Sequence, residues 1–109
     1  MRNPAALLIA ILVALGVLEF IDAPLIDGWG FAIAFGVLFL VAAWLIRSGR
    51  VLTGAILGAA LALFEVVGFA GWTKNSAADW IIAIATVILS LAALAVFARL
   101  LLLRRAALD

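Results

Sequence analysis

The chain contains no cysteine and no histidine among its 109 residues. These absences exclude disulfide bonds, zinc sites, haem ligation through either side chain and Ser-His catalytic triads. Charge is also scarce, since 12% of the residues are charged and the net charge is +1. This excludes the broad basic surface that nucleic-acid binding requires. We therefore expect no metal, no cofactor and no nucleic-acid partner, and the shortage of catalytic groups predicts that the protein is not an enzyme.

What the chain has in abundance is apolar residues, which make up 71% of it and give a mean hydropathy of +1.45. A soluble domain is typically about half apolar and about a quarter charged. A chain this apolar has too little polar surface to face water. The composition therefore predicts an integral membrane protein whose surroundings are the lipid bilayer.

Four segments are long and apolar enough to cross a bilayer, which requires about 20 residues per helix. We predict helices at about 4–21, 29–46, 51–71 and 77–103. The main span of the last helix ends near Phe97, with an apolar extension through Leu103. Since only short connections separate these segments, the predicted fold is an all-α bundle of four transmembrane helices that forms one domain over residues 1–109.

Local signals mark the ends of these helices. The dipeptide Asn3-Pro4 is typical of a helix start, because proline at the first helical position loses no hydrogen bond. The connection at Ser48-Gly49 is so short that the second and third helices are predicted to form a close antiparallel hairpin. Ser76 and Asp79 have the spacing of a capping box. Residues 19–22 lack the small-x-small pattern of a signal-peptide cleavage site, so the first helix is expected to stay in the protein.

The charged residues predict how the bundle is oriented. Every arginine falls at the same predicted end of the bundle: Arg2, Arg47, Arg50, Arg99, Arg104 and Arg105. The opposite end holds the sole lysine and three aspartates: Lys74, Asp22, Asp27 and Asp79. Because cytoplasmic loops of membrane proteins carry an excess of basic residues, we predict a multi-pass protein of the cell membrane with both termini in the cytoplasm.

Two glutamates, Glu19 and Glu65, stand within the spans where water is scarce. Acidic residues near a helix centre cost roughly 2–3.5 kcal/mol, and they usually face protein or a water-filled cavity. Glu65 is either a proton or cation site or a neutral, hydrogen-bonded acid in a helix contact. Glu19 lies about one turn below Asp22, so we expect it to reach headgroups or water. Antiparallel packing of the last two helices places Thr86 near the depth of Glu65, with Ser90 on the same face. Glu65, Glu19, Thr86 and Ser90 form the candidate site for an ion, a proton or a partner.

Small residues recur at the spacing that lets two transmembrane helices approach closely. They lie on the face of the third helix that carries Glu65 and on a second ridge in the second helix: Gly54, Gly58, Gly68, Ala32 and Gly36. These residues are predicted to pack either against other helices of the same chain or against another subunit.

In its length, its number of spans and the glutamate in its first span, the chain is similar in architecture to the small multidrug resistance transporters. The essential glutamate of that family lies near mid-helix and works beside aromatic residues that include tyrosine. Here Glu19 is near the end of its helix and the chain has no tyrosine. The likeness therefore stops at architecture and implies no membership.

Two functional hypotheses follow from these patterns. In the first, the protein acts without catalysis through helix–helix association, and its partner is a second copy of itself or a larger membrane complex. In the second, it is a small proton- or cation-coupled transporter or channel in which Glu65, with Glu19, is the coupling site. The shortness of the loops and the glycines of the third helix favour the first hypothesis, and the second is the alternative.

Overall fold

The computed structural model describes residues 3–25, 29–71, 74 and 76–108. Over these residues it is all-helical, with α1 at Pro4–Asp22, α2 at Trp29–Arg47, α3 at Val51–Gly68 and α4 at Ala77–Leu108. Short 3-10 helices follow α1 at Ala23–Leu25 and α3 at Phe69–Gly71. In this part of the chain, four helices are long and apolar enough to span a membrane, which confirms the predicted number and class of helices.

The first helix begins where the sequence predicts. Pro4 occupies the first turn, and the Asn3 side chain accepts a hydrogen bond from the backbone N–H of Ala5 at 2.9 Å. At the start of α4, the Ser76 hydroxyl accepts a hydrogen bond from the backbone N–H of Asp79 at 3.1 Å. Both side chains satisfy amide groups that a helix start leaves without an intrahelical partner.

The connection between α2 and α3 is a tight turn centred on Gly49. Gly49 has φ +103°, a conformation that glycine adopts without steric cost. The Arg50 N–H donates to the Leu45 carbonyl at 2.9 Å and the Gly49 N–H donates to the Ile46 carbonyl at 3.2 Å, which is the Schellman pattern of helix termination. The predicted α2–α3 hairpin is therefore confirmed.

The helices form a ring in which each packs against its neighbours in the chain, and α4 closes the ring against α1. Across the ring, α1 and α3 touch where the Leu12 side chain rests against Gly58. The largest buried apolar side chains lie in this centre and towards the end of the bundle at which the chain begins: Leu8, Leu12, Leu15, Phe39, Ile46 and Leu100. Large apolar side chains also cover the outside, as expected of helices that face lipid.

The fourth helix is longer than the others. It has 32 residues, and at 1.5 Å per residue it runs for about 48 Å. The whole molecule measures 49 × 23 × 22 Å, so α4 extends along its full length. The end of α4 at Leu108 lies beyond the predicted limit at Leu103, because the residues after Arg105 are alanine and leucine, which favour helix.

Three of the predicted small residues, all glycines, pack against other helices of the same chain. A Cβ atom at Gly54 would lie 2.6 Å from the carbonyl oxygen of Ala42 in α2, and one at Gly58 would lie 2.8 Å from Leu12 in α1. Gly36 of α2 faces Phe20 and the Gly16 carbonyl of α1. Ala32 is buried in α2, and Gly68 is half-buried at the end of α3. Gly54, Gly58 and Gly36 therefore contact helices of the same chain.

Candidate functional site

The two ends of the bundle carry different charges. We call the end at which α1 finishes and α4 starts the acidic end; its described charged residues are Asp22, Lys74 and Asp79. We call the other the arginine end; its described charged residues are Arg47, Arg50, Arg99, Arg104 and Arg105. The positions predicted for Arg2 and Asp27 lie outside the described residues.

The structure brings Glu19 and Glu65 together in the interior of the bundle near the acidic end. Glu65 is 1% exposed and Glu19 is 8% exposed. Their carboxyl groups lie within electrostatic and hydrogen-bonding reach of each other. The sequence places Glu19 at the interface with water, but its side chain instead turns inward, because the face of α1 that carries it packs in the ring.

Apart from the Glu19 carboxyl group, the described part of the chain offers the Glu65 carboxyl group no hydrogen-bond partner. Thr86, which the sequence places near the depth of Glu65, is buried but makes no hydrogen bond to it. Counted in steps of about 1.5 Å from the α3–α4 connection, the residue of α4 level with Glu65 is Ala83, and Thr86 lies about one turn deeper. This difference in depth explains why Thr86 is not the hydroxyl partner of Glu65.

Two aspartates lie near the glutamate pair, on the side towards the acidic end. Asp79 of α4 is buried and Asp22 of α1 is half-buried. Asp22 lies within electrostatic reach of Asp79 and of both glutamates. Four acidic side chains from three helices therefore form one cluster. The sequence predicts Asp79 as part of a capping box and as a charge of the acidic end, but its spacing from Thr86 and Ser90 also places all three on one face of α4.

The buried face of α4 follows alternating steps of four and three residues, the spacing of a helix that packs along one seam. Its buried members are Asp79, Ala83, Thr86, Ser90, Ala93 and Leu100. The half of this face nearest the acidic end is polar or small, and the half nearest the arginine end is apolar. We use the name polar column for the polar residues of this face and the glutamate pair together: Asp79, Thr86, Ser90, Glu19 and Glu65.

The sole lysine of the chain lies at the acidic end among aromatic rings. The Lys74 ammonium donates a hydrogen bond to the Phe69 carbonyl and lies 3.9 Å from the centroid of the Phe69 ring. Its distance to the centroid of the Trp80 ring is 5.2 Å. These are cation–π distances, so Lys74 connects the end of α3 to the start of α4.

Among the described residues, no group of three or more acidic side chains is arranged to hold a metal ion. Two carboxylates cannot hydrogen-bond to each other, but a carboxylic acid donates to a carboxylate, so one proton can be shared by Glu19 and Glu65. No protein-family model, no curated protein and no solved structure matches this chain.

Proposed function

We propose that this small multi-pass membrane protein binds protons at the Glu19–Glu65 pair and moves them across the membrane. The observation that carries the proposal is the carboxyl group of Glu65, which is fully buried, lies beside the carboxyl group of Glu19 and has no other hydrogen-bond partner among the described residues. Of the two hypotheses drawn from the sequence, this supports the proton- or cation-coupled transporter or channel.

The electrostatics of the pair favour one shared proton. Two like charges in contact inside a low-dielectric interior repel each other strongly, so that one carboxyl group of such a pair stays protonated. The remaining negative charge is then spread over two groups joined by a hydrogen bond. Such a pair can accept or lose a proton with little movement of the helices, as a proton-binding site must.

A purely structural role for Glu65 is less consistent with the contacts. A buried carboxylic acid that only stabilises a helix contact is expected to donate to a carbonyl or hydroxyl on the neighbouring helix. The described part of the chain offers Glu65 no such partner, and the group beside it is another acid. Two adjacent carboxyl groups do little to stabilise a helix contact, but they can bind a proton between them.

The acidic end supplies a route to the pair. Asp22 and Asp79 lie between the pair and the end of the bundle, where negative charge raises the local concentration of protons and other cations. By the positive-inside rule, the arginine end faces the cytoplasm, and with it both termini. The pair would then take up protons from the outside of the cell membrane.

The test is proton flux into liposomes that contain the purified protein and a pH-sensitive dye, driven by a potassium diffusion potential. Wild-type protein is expected to acidify the lumen faster than protein-free liposomes. Glu65→Gln should abolish the difference, because the amide cannot release a proton. Asp22→Asn is the matched control: it makes the same acid-to-amide change outside the pair and should slow the flux without abolishing it. Wild-type flux no greater than that of empty liposomes would overturn the proposal.

Association remains a second candidate function because of an aromatic face that is turned outward. Phe31 and Phe64 are 53% and 48% exposed, and their ring centroids lie 5.9 Å apart. Phe35 stacks on Phe31 at 4.8 Å and contacts Phe64 at 5.1 Å. This face joins α2 and α3 and offers a rigid surface to a helix of a second copy or of another membrane protein. Gly54 and Gly58 contact helices of the same chain. The aromatic face is therefore a better candidate than these glycines for contact with another protein.

A further inference from the structure

We propose that Ser90 is a second binding position for the transported proton, reached through water from the glutamate pair, and that the ligand is water or hydronium. The inference rests on the proposed function and extends it from the pair to the rest of the path. Ser90 lies on the buried face of α4, deeper in the bundle than the glutamates.

The first observation is the state of the Ser90 side chain. It is 0% exposed, and its Oγ has no hydrogen-bond partner in the described part of the chain. A serine within a transmembrane helix commonly donates to the backbone carbonyl three or four residues earlier, here Val87 or Thr86. Ser90 makes neither bond. A buried hydroxyl left in this way is normally satisfied by an ordered water molecule.

The second observation is the position of Ser90 relative to the acids. α4 packs against both α1 and α3, the helices that carry Glu19 and Glu65. Ser90 lies about 10 Å deeper than Ala83, which is level with the pair, and Thr86 is about halfway between. Ala83 and Thr86 are both buried and small. Hydrogen-bonded oxygens are spaced by about 2.8 Å, so two or three waters would cover this distance.

The third observation is that the polar column stops at Ser90. Ala93, the next residue of the buried face, is fully buried and apolar. Gly58 lies at about the same depth as Ser90 by the count of 1.5 Å steps, and there Leu12 closes against it. Ser90 is therefore the last polar group before the apolar half of the bundle, which a proton has to cross next.

The chemistry of the column identifies the ligand class. A hydroxyl both donates and accepts hydrogen bonds, as water and hydronium require. A metal cation needs several oxygen ligands around it, and the described acidic residues form no such group. The column thus matches a hydrated proton.

The experiment uses the natural absence of cysteine and silver ion, a small cation that reacts with thiols. Ser90→Cys is expressed, and chloride-free right-side-out and inside-out membrane vesicles are treated with silver nitrate. Unreacted thiol is then labelled with a fluorescent maleimide in detergent. The matched control is Ala93→Cys, which is equally buried on the same face but lies one turn deeper. Ser76→Cys reports which vesicles expose the acidic end.

We expect silver to block Ser90→Cys at least tenfold faster than Ala93→Cys, and only in the vesicles whose outer face also exposes Ser76→Cys. Equal rates at Ser90→Cys and Ala93→Cys would overturn the inference, and so would an unreacted Ser90→Cys beside a reacted Ser76→Cys. Neither result depends on a measured flux.

Proton flux separates this inference from the proposed function. Ser90→Ala should lower the flux about three- to tenfold, the rate change that corresponds to one neutral hydrogen bond, whereas Ser48→Ala at the exposed α2–α3 turn should not change it. If Glu65→Gln abolishes the flux and Ser90→Ala leaves it unchanged, the glutamate site stands and the role of Ser90 is overturned. If the wild type carries no flux, both fall together.

Discussion

The carboxyl groups of Glu19 in α1 and Glu65 in α3 lie side by side inside the bundle, on helices that are not neighbours in the chain. The ring arrangement makes this contact, because α1 and α3 approach each other across the centre where Leu12 meets Gly58. Two residues far apart in the sequence thereby become one chemical site.

Replacing one member of the pair by its amide should leave the fold intact. Glu65→Gln has nearly the same shape, and its amide N–H can donate to the Glu19 carboxylate, which replaces the shared proton by a permanent hydrogen bond. The free energy of unfolding should stay within about 1 kcal/mol of wild type, the scale of one net hydrogen bond. Thermal unfolding in detergent measures it. Glu65→Leu is the comparison: it leaves the Glu19 carboxylate buried without its partner and should unfold at a lower temperature.

A methyl group at Gly54 should force α2 and α3 apart. The added Cβ would lie 2.6 Å from the Ala42 carbonyl oxygen and 2.8 Å from the Ile46 backbone nitrogen, neither of which can move alone. Gly54→Ala is therefore expected to destabilise the protein by about 1–3 kcal/mol, as overpacking typically does. The matched control is Gly30→Ala in α2, where nothing lies within 4 Å of the new atom. Equal melting temperatures for the two variants would contradict the packing described.

Gly58→Ala should cost less than Gly54→Ala, although both glycines lie on one face of α3. The new methyl group at Gly58 meets only the tip of the Leu12 side chain, at 2.8 Å, and a leucine tip can rotate away. If the two residues contact each other, Gly58→Ala should destabilise the Leu12→Ala variant less than it destabilises the wild type, because the effects of substitutions at contacting residues are not additive. Additive changes in melting temperature would show that α1 and α3 do not touch there.

Self-association through the aromatic face can be tested separately from the proton site. The double variant Phe31→Ala/Phe64→Ala removes exposed rings and should shift an oligomer to monomer in gel filtration with light scattering. Ile88→Ala is a suitable control, because that side chain is 60% exposed and lies on α4, outside the two helices that carry the three rings. If the wild type already elutes as a monomer in mild detergent, self-association through this face is contradicted.

Orientation in the membrane can be measured without reference to function. Single cysteines at Ser48 and Ser76 lie at opposite ends of the bundle. With the arginine end in the cytoplasm, an impermeant maleimide added to intact cells should label Ser76→Cys at once and Ser48→Cys only after permeabilisation. Equal labelling of both sites would mean that the chain inserts in both orientations.

Much of the fold could be predicted from the sequence because its signals are local. Hydropathy locates the four helices, Asn3-Pro4 and Ser76 mark helix starts, and Ser48-Gly49 predicts the hairpin. The length of α4 was underestimated, since the arginines at 104 and 105 resemble the end of a span although the residues beyond them still favour helix.

The candidate site could be predicted only in part, because depth along a helix is easier to predict than rotation about it. Counting residues from Asp22 gives the depth of Glu19, but it does not show that its side chain turns inward towards Glu65. The same counting places Thr86 within about a turn of Glu65, which is too coarse for a hydrogen bond. Gly16 was missed as a packing residue because leucine and phenylalanine stand four residues before and after it, so it belongs to no small-xxx-small pattern.

Infrared spectroscopy tests the central claim, a proton held between Glu19 and Glu65, most directly. Protonated and ionised carboxyl groups absorb at different frequencies, so the spectrum of the reconstituted protein at neutral pH reports whether a buried acid carries a proton. The difference between wild type and Glu19→Gln/Glu65→Gln should contain the band of one protonated carboxyl group and the bands of one carboxylate. A difference spectrum with two carboxylates and no protonated carboxyl group would contradict the account.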